Sequence, residues 1–244
     1  MQFPEPLIPA RLIKRYKRFL ADVVVLDGTD AGQEVTVHCP NPGAMMGLQD
    51  RDSPVWLLPA RNPKRKLPYG LELVGVGTFD ETSHLVGINT GRPNTLAEEA
   101  IAAGKITELA GYEPIKREVK YGENSRIDLL LSSPHQPPCY VEVKNVHLRR
   151  SGGNGAAEFP DCVTTRGAKH LRELEAMVQH GARAVMLYIV QRGDCTHFTT
   201  APDLDPAYDK ALRHALANGV EAVCYDCTVE VDGIAVRDAL PIAL

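Results

Sequence analysis

From residue 11 to about residue 79 the apolar positions come in short runs broken by turn residues. Residues 20–26 read as a strand, Asp27-Gly28 and Asp30-Ala31-Gly32 follow, and Glu34–His38 is the expected hairpin partner. Residues 55–58 and 71–77 are further expected strands, on either side of the Pro-rich, basic stretch 59–68. Strands this short, with no long helical pattern among them, predict a small barrel. After about residue 85 the pattern becomes mixed α and β. Thr95-Leu-Ala-Glu98 has the form of a capping box opening a helix that Gly104 closes. Strands are expected over Ile115–Tyr121, 126–131 and 140–146, with Gly122-Glu123-Asn124 joining the first two. Ala168, Leu171, Leu174 and Val178 recur at helical spacing in a helix that starts near Thr164 or Thr165 and ends before Gly181. Residues 184–190 are continuously apolar, as in a strand covered on both faces. Asp205-Pro206 opens a last helix, closed by Gly219, and a strand over 220–224 follows. The second part reads α-β-β-β-α-β-α-β, and the change of pattern divides the chain into domains 1–84 and 85–244.

Composition narrows the class. With 44% hydrophobic and 24% charged residues the chain is an ordinary globular one, neither disordered nor membrane-embedded. The first residues hold no apolar leader, and the aliphatic run 185–190 is too short to span a bilayer, so a cytoplasmic protein with no membrane partner is expected. The six cysteines are accordingly read as reduced thiols, and Cys224-Tyr-Asp-Cys227, lacking a second matching pair, is not read as a zinc or redox motif. The net charge of −4 argues against unselective coating of nucleic acid, but it is unevenly spread: residues 1–70 hold ten Lys/Arg against seven Asp/Glu, the remainder 17 against 24. Two basic clusters stand out in the front part. Arg11, Lys14, Arg15, Lys17 and Arg18 interleave with Tyr16 and Phe19, and Arg61, Lys64, Arg65 and Lys66 fall in the Pro-bounded stretch. Cations for phosphate beside aromatics for bases is the chemistry of single-strand binding, with a solvated face as the plainer alternative.

Two expected strands carry groups that are costly to bury unless used. Asp128 stands among aliphatic residues, and Glu142 and Lys144, two apart, project from one face of a strand. If Asp128 points the same way from the neighbouring strand, two carboxylates converge beside one ammonium, a donor set suited to Mg²⁺ or Mn²⁺. Such an ion stabilises charge growing on a phosphate, while Lys144 orients or deprotonates the attacking water. Spacing alone leaves open a structural Glu142–Lys144 ion pair, since Glu-x-Lys also occurs at Glu118-Val-Lys120. Arg166, Lys169 and His170 fall on one helical turn just after these strands, placed to hold phosphate oxygens or steady the metal ligands; an ordinary charged helix face is the alternative.

The order of elements and these residues resemble the PD-(D/E)XK nuclease superfamily, with its α-β-β-β-α-β core, and more closely the sugar fermentation stimulation protein A (SfsA) family. The stretches that carry the resemblance are His38-Cys-Pro-Asn41-Pro-Gly43-Ala-Met45, Asn89-Thr-Gly-Arg-Pro-Asn94, Tyr121-Gly-Glu-Asn-Ser125-Arg126-Ile-Asp128, Glu142-Val-Lys-Asn145, Phe159-Pro-Asp161 and Arg166-Gly-Ala-Lys169-His170. They run in order over nearly the whole chain. The resemblance implies an α/β (α+β overall) protein: an N-terminal OB-like β-barrel and a PD-(D/E)XK nuclease-like domain. It implies DNA as partner, single- or double-stranded, with Arg126, Arg166, Lys169 and His170 joining the front-domain cations as contacts, and a link to sugar-utilisation (maltose-type) genes. In many nucleases of the superfamily a Glu on the first helix adds a metal ligand; of Glu98 and Glu99, the capping box uses Glu98 and leaves Glu99. The expected centre is therefore Asp128, Glu142, Lys144 and Glu99, with Asp128, Glu142 and Glu99 as metal ligands. A nuclease fold can be kept for binding alone, so a DNA-binding regulator without cleavage is the rival reading, and a homodimer is left open. A small-molecule enzyme is disfavoured because no Gly-rich phosphate loop follows any expected strand.

Overall fold

The fold was described from a computed structural model, which describes every residue of the chain except 63, 80, 82, 83 and 123. Glu123 of the expected 122–124 turn thus lies outside the described residues. Six strands form the first unit: β1 (Ile8–Tyr16), β2 (Leu20–Val25), β3 (Glu34–His38), β4 (Pro54–Pro59), β5 (Tyr69–Val76) and β6 (His84–Gly87). They are ordered β3-β2-β1-β4-β5-β6, and a parallel contact of His38 with Gly70 joins β3 to β5, closing the first five into an OB-like barrel. Strand β1 escapes the apolar pattern because three of its nine residues are cationic. Ala10 and Leu12 point into the barrel while Arg11 and Lys14 point out, and a register shift between Leu12 and Lys14 re-aims the end of the strand. The barrel sheet runs on through β6, past the expected break at 84/85. Residues 1–3 go the other way: Gln2 bridges Gly233 and the Phe3 N–H donates to the Asp232 carbonyl, so the start of the chain adds to the second unit.

The second unit holds α1 (Pro93–Ala102), β7 (Ile115–Tyr121), β8 (Ser125–Leu131), β9 (Cys139–Val146), β10 (Ala156–Phe159), α2 (Thr165–Gln179), β11 (Arg183–Val190), β12 (His197–Thr200), α3 (Pro206–Ala217), β13 (Glu221–Val229) and β14 (Ile234–Ala239). Its main sheet is ordered β14-β13-β11-β9-β8-β7, parallel across β9-β11-β13 and antiparallel at both edges; β10 and β12 pair separately. The central strand β11 is apolar after Arg183 because both its faces are covered. Val185, Leu187 and Ile189 pack toward α1, and Met186, Tyr188 and Val190 toward α2 and α3. Cys224 and Cys227, three apart on β13, fall into these two opposite cores and cannot share a ligand.

Helix α1 corrects the capping-box expectation. Its N-cap is Arg92 with Pro93 at the first helical position, so Thr95 already lies inside the helix and Glu98 pairs with Arg117 instead. Helix α2 starts as expected: Thr164 Oγ1 accepts the Gly167 N–H at 3.1 Å. It stops at Gly181, whose φ of +82° lets the Gly181 and Ala182 N–H groups return to the Val178 and Met177 carbonyls.

Candidate active site

The cleft opens where β8 and β9 part. Their pairing ends at Leu129 and Val141, and the Asp128 carboxylate then takes the Val143 N–H at 2.8 Å in place of a backbone acceptor. The other Asp128 oxygen accepts from Asn94 Nδ2 at 2.8 Å, so the first turn of α1 fixes it. Glu142 and Lys144 project from β9 toward α2, with Lys144 Nζ 2.5 Å from Glu142 Oε1. His170 Nδ1 reaches the same Oε1 from α2. Glu142 Oε2 is buried and, among the described residues, has no hydrogen-bond partner. An unpaired buried carboxylate oxygen is costly, so this atom calls for a cation or a water.

The two carboxylates are held differently. Burial, then the charge of Glu142, raises the pKa of Asp128, and the bonds from Val143 and Asn94 only partly offset this. Burial opposes ionisation of Glu142 as well, but the Lys144 charge and the His170 hydrogen bond outweigh it and bring its pKa below the ordinary value. Glu142 therefore stays anionic.

The cleft, about 420 Å³, draws its walls from both units. Arg18, Asn41, Pro42 and Gly43 come from the barrel and face Asp128, Glu142, Lys144, Asp161, Val163 and Arg166. One barrel side chain organises this wall: the Arg15 guanidinium donates to the carbonyls of Asn41 and Gly43, both at 2.8 Å, of Arg18 at 3.0 Å and of Ala44 at 3.3 Å. Asp161 ties the wall to the second unit. It accepts the Met45 N–H at 2.9 Å and lies 3.2 Å from His147 Nε2. Gly43 is required at this junction, because a Cβ there would stand 2.5 Å from an Asp161 oxygen.

The structure brings together Asp128, Glu142 and Lys144 and excludes Glu99. The Glu99 carboxylate is 2.8 Å from the Met1 amine, half exposed, and does not line the cleft. The α1 residue at the site is Asn94, which the sequence shows within a motif but marks with no role of its own. Among the described residues no group of three His, Cys, Asp or Glu is set to hold a metal. The cation positions also divide. Arg15 is committed to the loop carbonyls and His170 is buried behind Glu142, so neither faces a nucleic acid as expected. Arg166 is exposed on the cleft wall, and Arg18 lines it while donating to the Pro42 carbonyl. Lys169 bonds Ser125 Oγ at 3.1 Å and lies 3.4 Å from Glu173. Arg126 is exposed and donates to the Glu118 carbonyl. Arg11, Lys14, Lys17, Arg61, Lys64, Arg65 and Lys66 are exposed on the barrel, Lys14 lying 3.4 Å from Asp22. The His147 pairing and the Arg15 hub have no signal in the sequence, since no local pattern marks a partner 14 or 26 residues away.

A five-stranded OB-like barrel set against a mixed α/β unit, with Asp and Glu-x-Lys at the parting of two strands, defines a class of protein. The chain belongs to the sugar fermentation stimulation protein family: residues 13–88 match the SfsA N-terminal OB domain and residues 91–233 the sugar fermentation stimulation protein RE domain. It is 58% identical over 240 residues to the sugar fermentation stimulation protein homolog of Rhodospirillum centenum, covering 98% of each chain. It is 55% identical over 243 residues to that of Jannaschia sp., covering 99% of this chain and 97% of the relative. Its fold matches the structure of Pyrococcus furiosus SfsA in complex with Ca²⁺, with a TM-score of 0.86 and 26% identity over 100% of this chain and 98% of that one.

Proposed function

We propose that the cleft is a divalent-metal-dependent phosphodiesterase centre acting on DNA, with Mg²⁺ or Mn²⁺ as the working ion. The observation that carries this is Glu142 Oε2, a buried anionic oxygen with no partner among the described residues, beside a second carboxylate, Asp128. These two side chains are the ones that would hold the ion, and the Ca²⁺ in the Pyrococcus relative supports a cation in this family. Bound there, the ion would supply Lewis-acid stabilisation of charge on the scissile phosphate. The chain's own residues supply the rest. Lys144, beside Glu142, stabilises negative charge developing in the transition state and orients the attacking water. Arg166 and Arg18 hold backbone phosphates, with Lys169 and Arg126 beyond them. The barrel cations Arg11, Lys14, Lys17, Arg61, Lys64, Arg65 and Lys66 extend the track.

The test is cleavage of supercoiled and single-stranded DNA with Mg²⁺, Mn²⁺ or chelator. Lys144→Ala is expected to cut metal-dependent cleavage roughly 10²-fold or more while DNA affinity holds. Wild-type protein that cleaves neither DNA form with either ion overturns the reading. One observation favours a second reading, a regulator that binds DNA near sugar (maltose-type) genes without cutting it: the Lys144 ammonium is engaged by Glu142 Oε1 at 2.5 Å. Sequence-specific binding without cleavage selects that reading.

A further inference from the structure

Helix α2 links the cleft surface to the buried carboxylate. Arg166 and His170 stand one turn apart, and Arg166 Nε donates to His170 Nε2 at 3.2 Å. A guanidinium nitrogen can only donate, so Nε2 accepts and the ring hydrogen sits on Nδ1. That hydrogen goes to Glu142 Oε1. His170 is 4% exposed and Glu142 2%, so the chain of hydrogen bonds is sealed from solvent at its inner end. Its outer end is open: Arg166 is exposed on the cleft wall, and among the described residues its terminal nitrogens have no partner. At the inner end Lys144 and His170 both engage Oε1, which leaves Oε2 bare. The side chains thus select which Glu142 oxygen is available.

We propose that Arg166 and His170 are positioning residues that couple occupation of the cleft by a phosphodiester to cation binding at Glu142. A phosphate taken by the free nitrogens of Arg166 fixes the guanidinium, which fixes the imidazole, which holds Glu142 with Oε2 toward the cation. Because coupling is reciprocal, the cation tightens nucleic-acid binding by the same factor. This rests on the proposed metal centre and adds to it a substrate-responsive control of the ligand.

The experiment is calorimetric titration of Ca²⁺ into the full chain, with and without a saturating single-stranded oligonucleotide. Wild type is expected to bind Ca²⁺ several-fold more tightly with the oligonucleotide. His170→Phe, which keeps a ring but has no donor, is expected to weaken Ca²⁺ roughly 10- to 100-fold. His170→Asn, whose amide N–H replaces Nδ1–H, is expected to recover most of the loss. Arg166→Met, an exposed change that keeps the test alive should the buried variants unfold, is expected to abolish the tightening by oligonucleotide. Equal Ca²⁺ affinity in wild type and His170→Phe, equal loss in the Phe and Asn variants, or tightening that survives Arg166→Met overturns the relay alone. Wild type that binds no Ca²⁺ overturns the metal centre itself.

Discussion

At the scale of single residues, Asp161 joins the two units through groups that reward its charge. Burial alone would raise its pKa, but the His147 imidazole 3.2 Å away and the Met45 N–H hold it at about 2, against an ordinary 3.8. A carboxylate with a depressed folded pKa contributes stability that is present above its unfolded pKa and lost as pH falls through the folded one. The stability difference between wild type and Asp161→Asn, followed by urea denaturation, is therefore expected to hold above pH 4 and to shrink toward pH 2, by about 2 kcal/mol in all. A gap independent of pH would mean that the charge contributes nothing. Gly43→Ala probes the same junction sterically. Its Cβ would meet the Asp161 carboxylate at 2.5 Å, so a loss of about 1–3 kcal/mol is expected, mostly relieved when Asp161 is also made Ala. Additive losses in that cycle would place the strain elsewhere.

At the scale of elements, the sequence showed a strand wherever alternation or a continuous apolar run was strong. Glu142 and Lys144 share one face because a strand repeats every two residues, and β11 is legible because it is continuously apolar after Arg183. Strands β10 and β12, four residues each, are too short to carry a pattern, and β1 hid behind its outward cations. On the first helix, Glu99 lies away from the cleft for a reason of phase. Five residues separate Asn94 from Glu99, and at about 100° per residue that turns Glu99 roughly 140° away. A cap placed at Thr95 instead of Arg92 hid that Asn94 lies in the first helical turn, within reach of Asp128. Asn94→Ala is accordingly expected to weaken Mn²⁺ binding by roughly 10-fold, since it frees a carboxylate that a neighbour now orients; unchanged affinity would show Val143 suffices. Thr164→Ala removes the cap of the helix that carries Arg166 and His170, and about 1 kcal/mol of stability should go with it in thermal melts.

At the scale of the molecule, charge and connectivity decide how the cleft meets a polyanion. With Arg15 committed to the loop, the barrel's outward cations are concentrated on the 61–66 stretch and the outward face of β1. Replacing Arg61, Lys64, Arg65 and Lys66 with Ala is expected to reduce the slope of log affinity against log salt, by roughly 0.7 for each single-strand phosphate that is no longer neutralised. A variant that keeps both the affinity and the slope would reduce these residues to a solvated face. The links that cross between the units bear on how such a chain can be recombined. Residues 1–3 extend the edge at β14, the barrel loop 41–45 walls the cleft, and Asp161 reaches back to hold it. A barrel transplanted from a distant relative would bring a foreign strap and a foreign wall, so the portable unit is the whole chain, and a chimera joined at the linker near residue 90 inherits mismatched halves of one cleft.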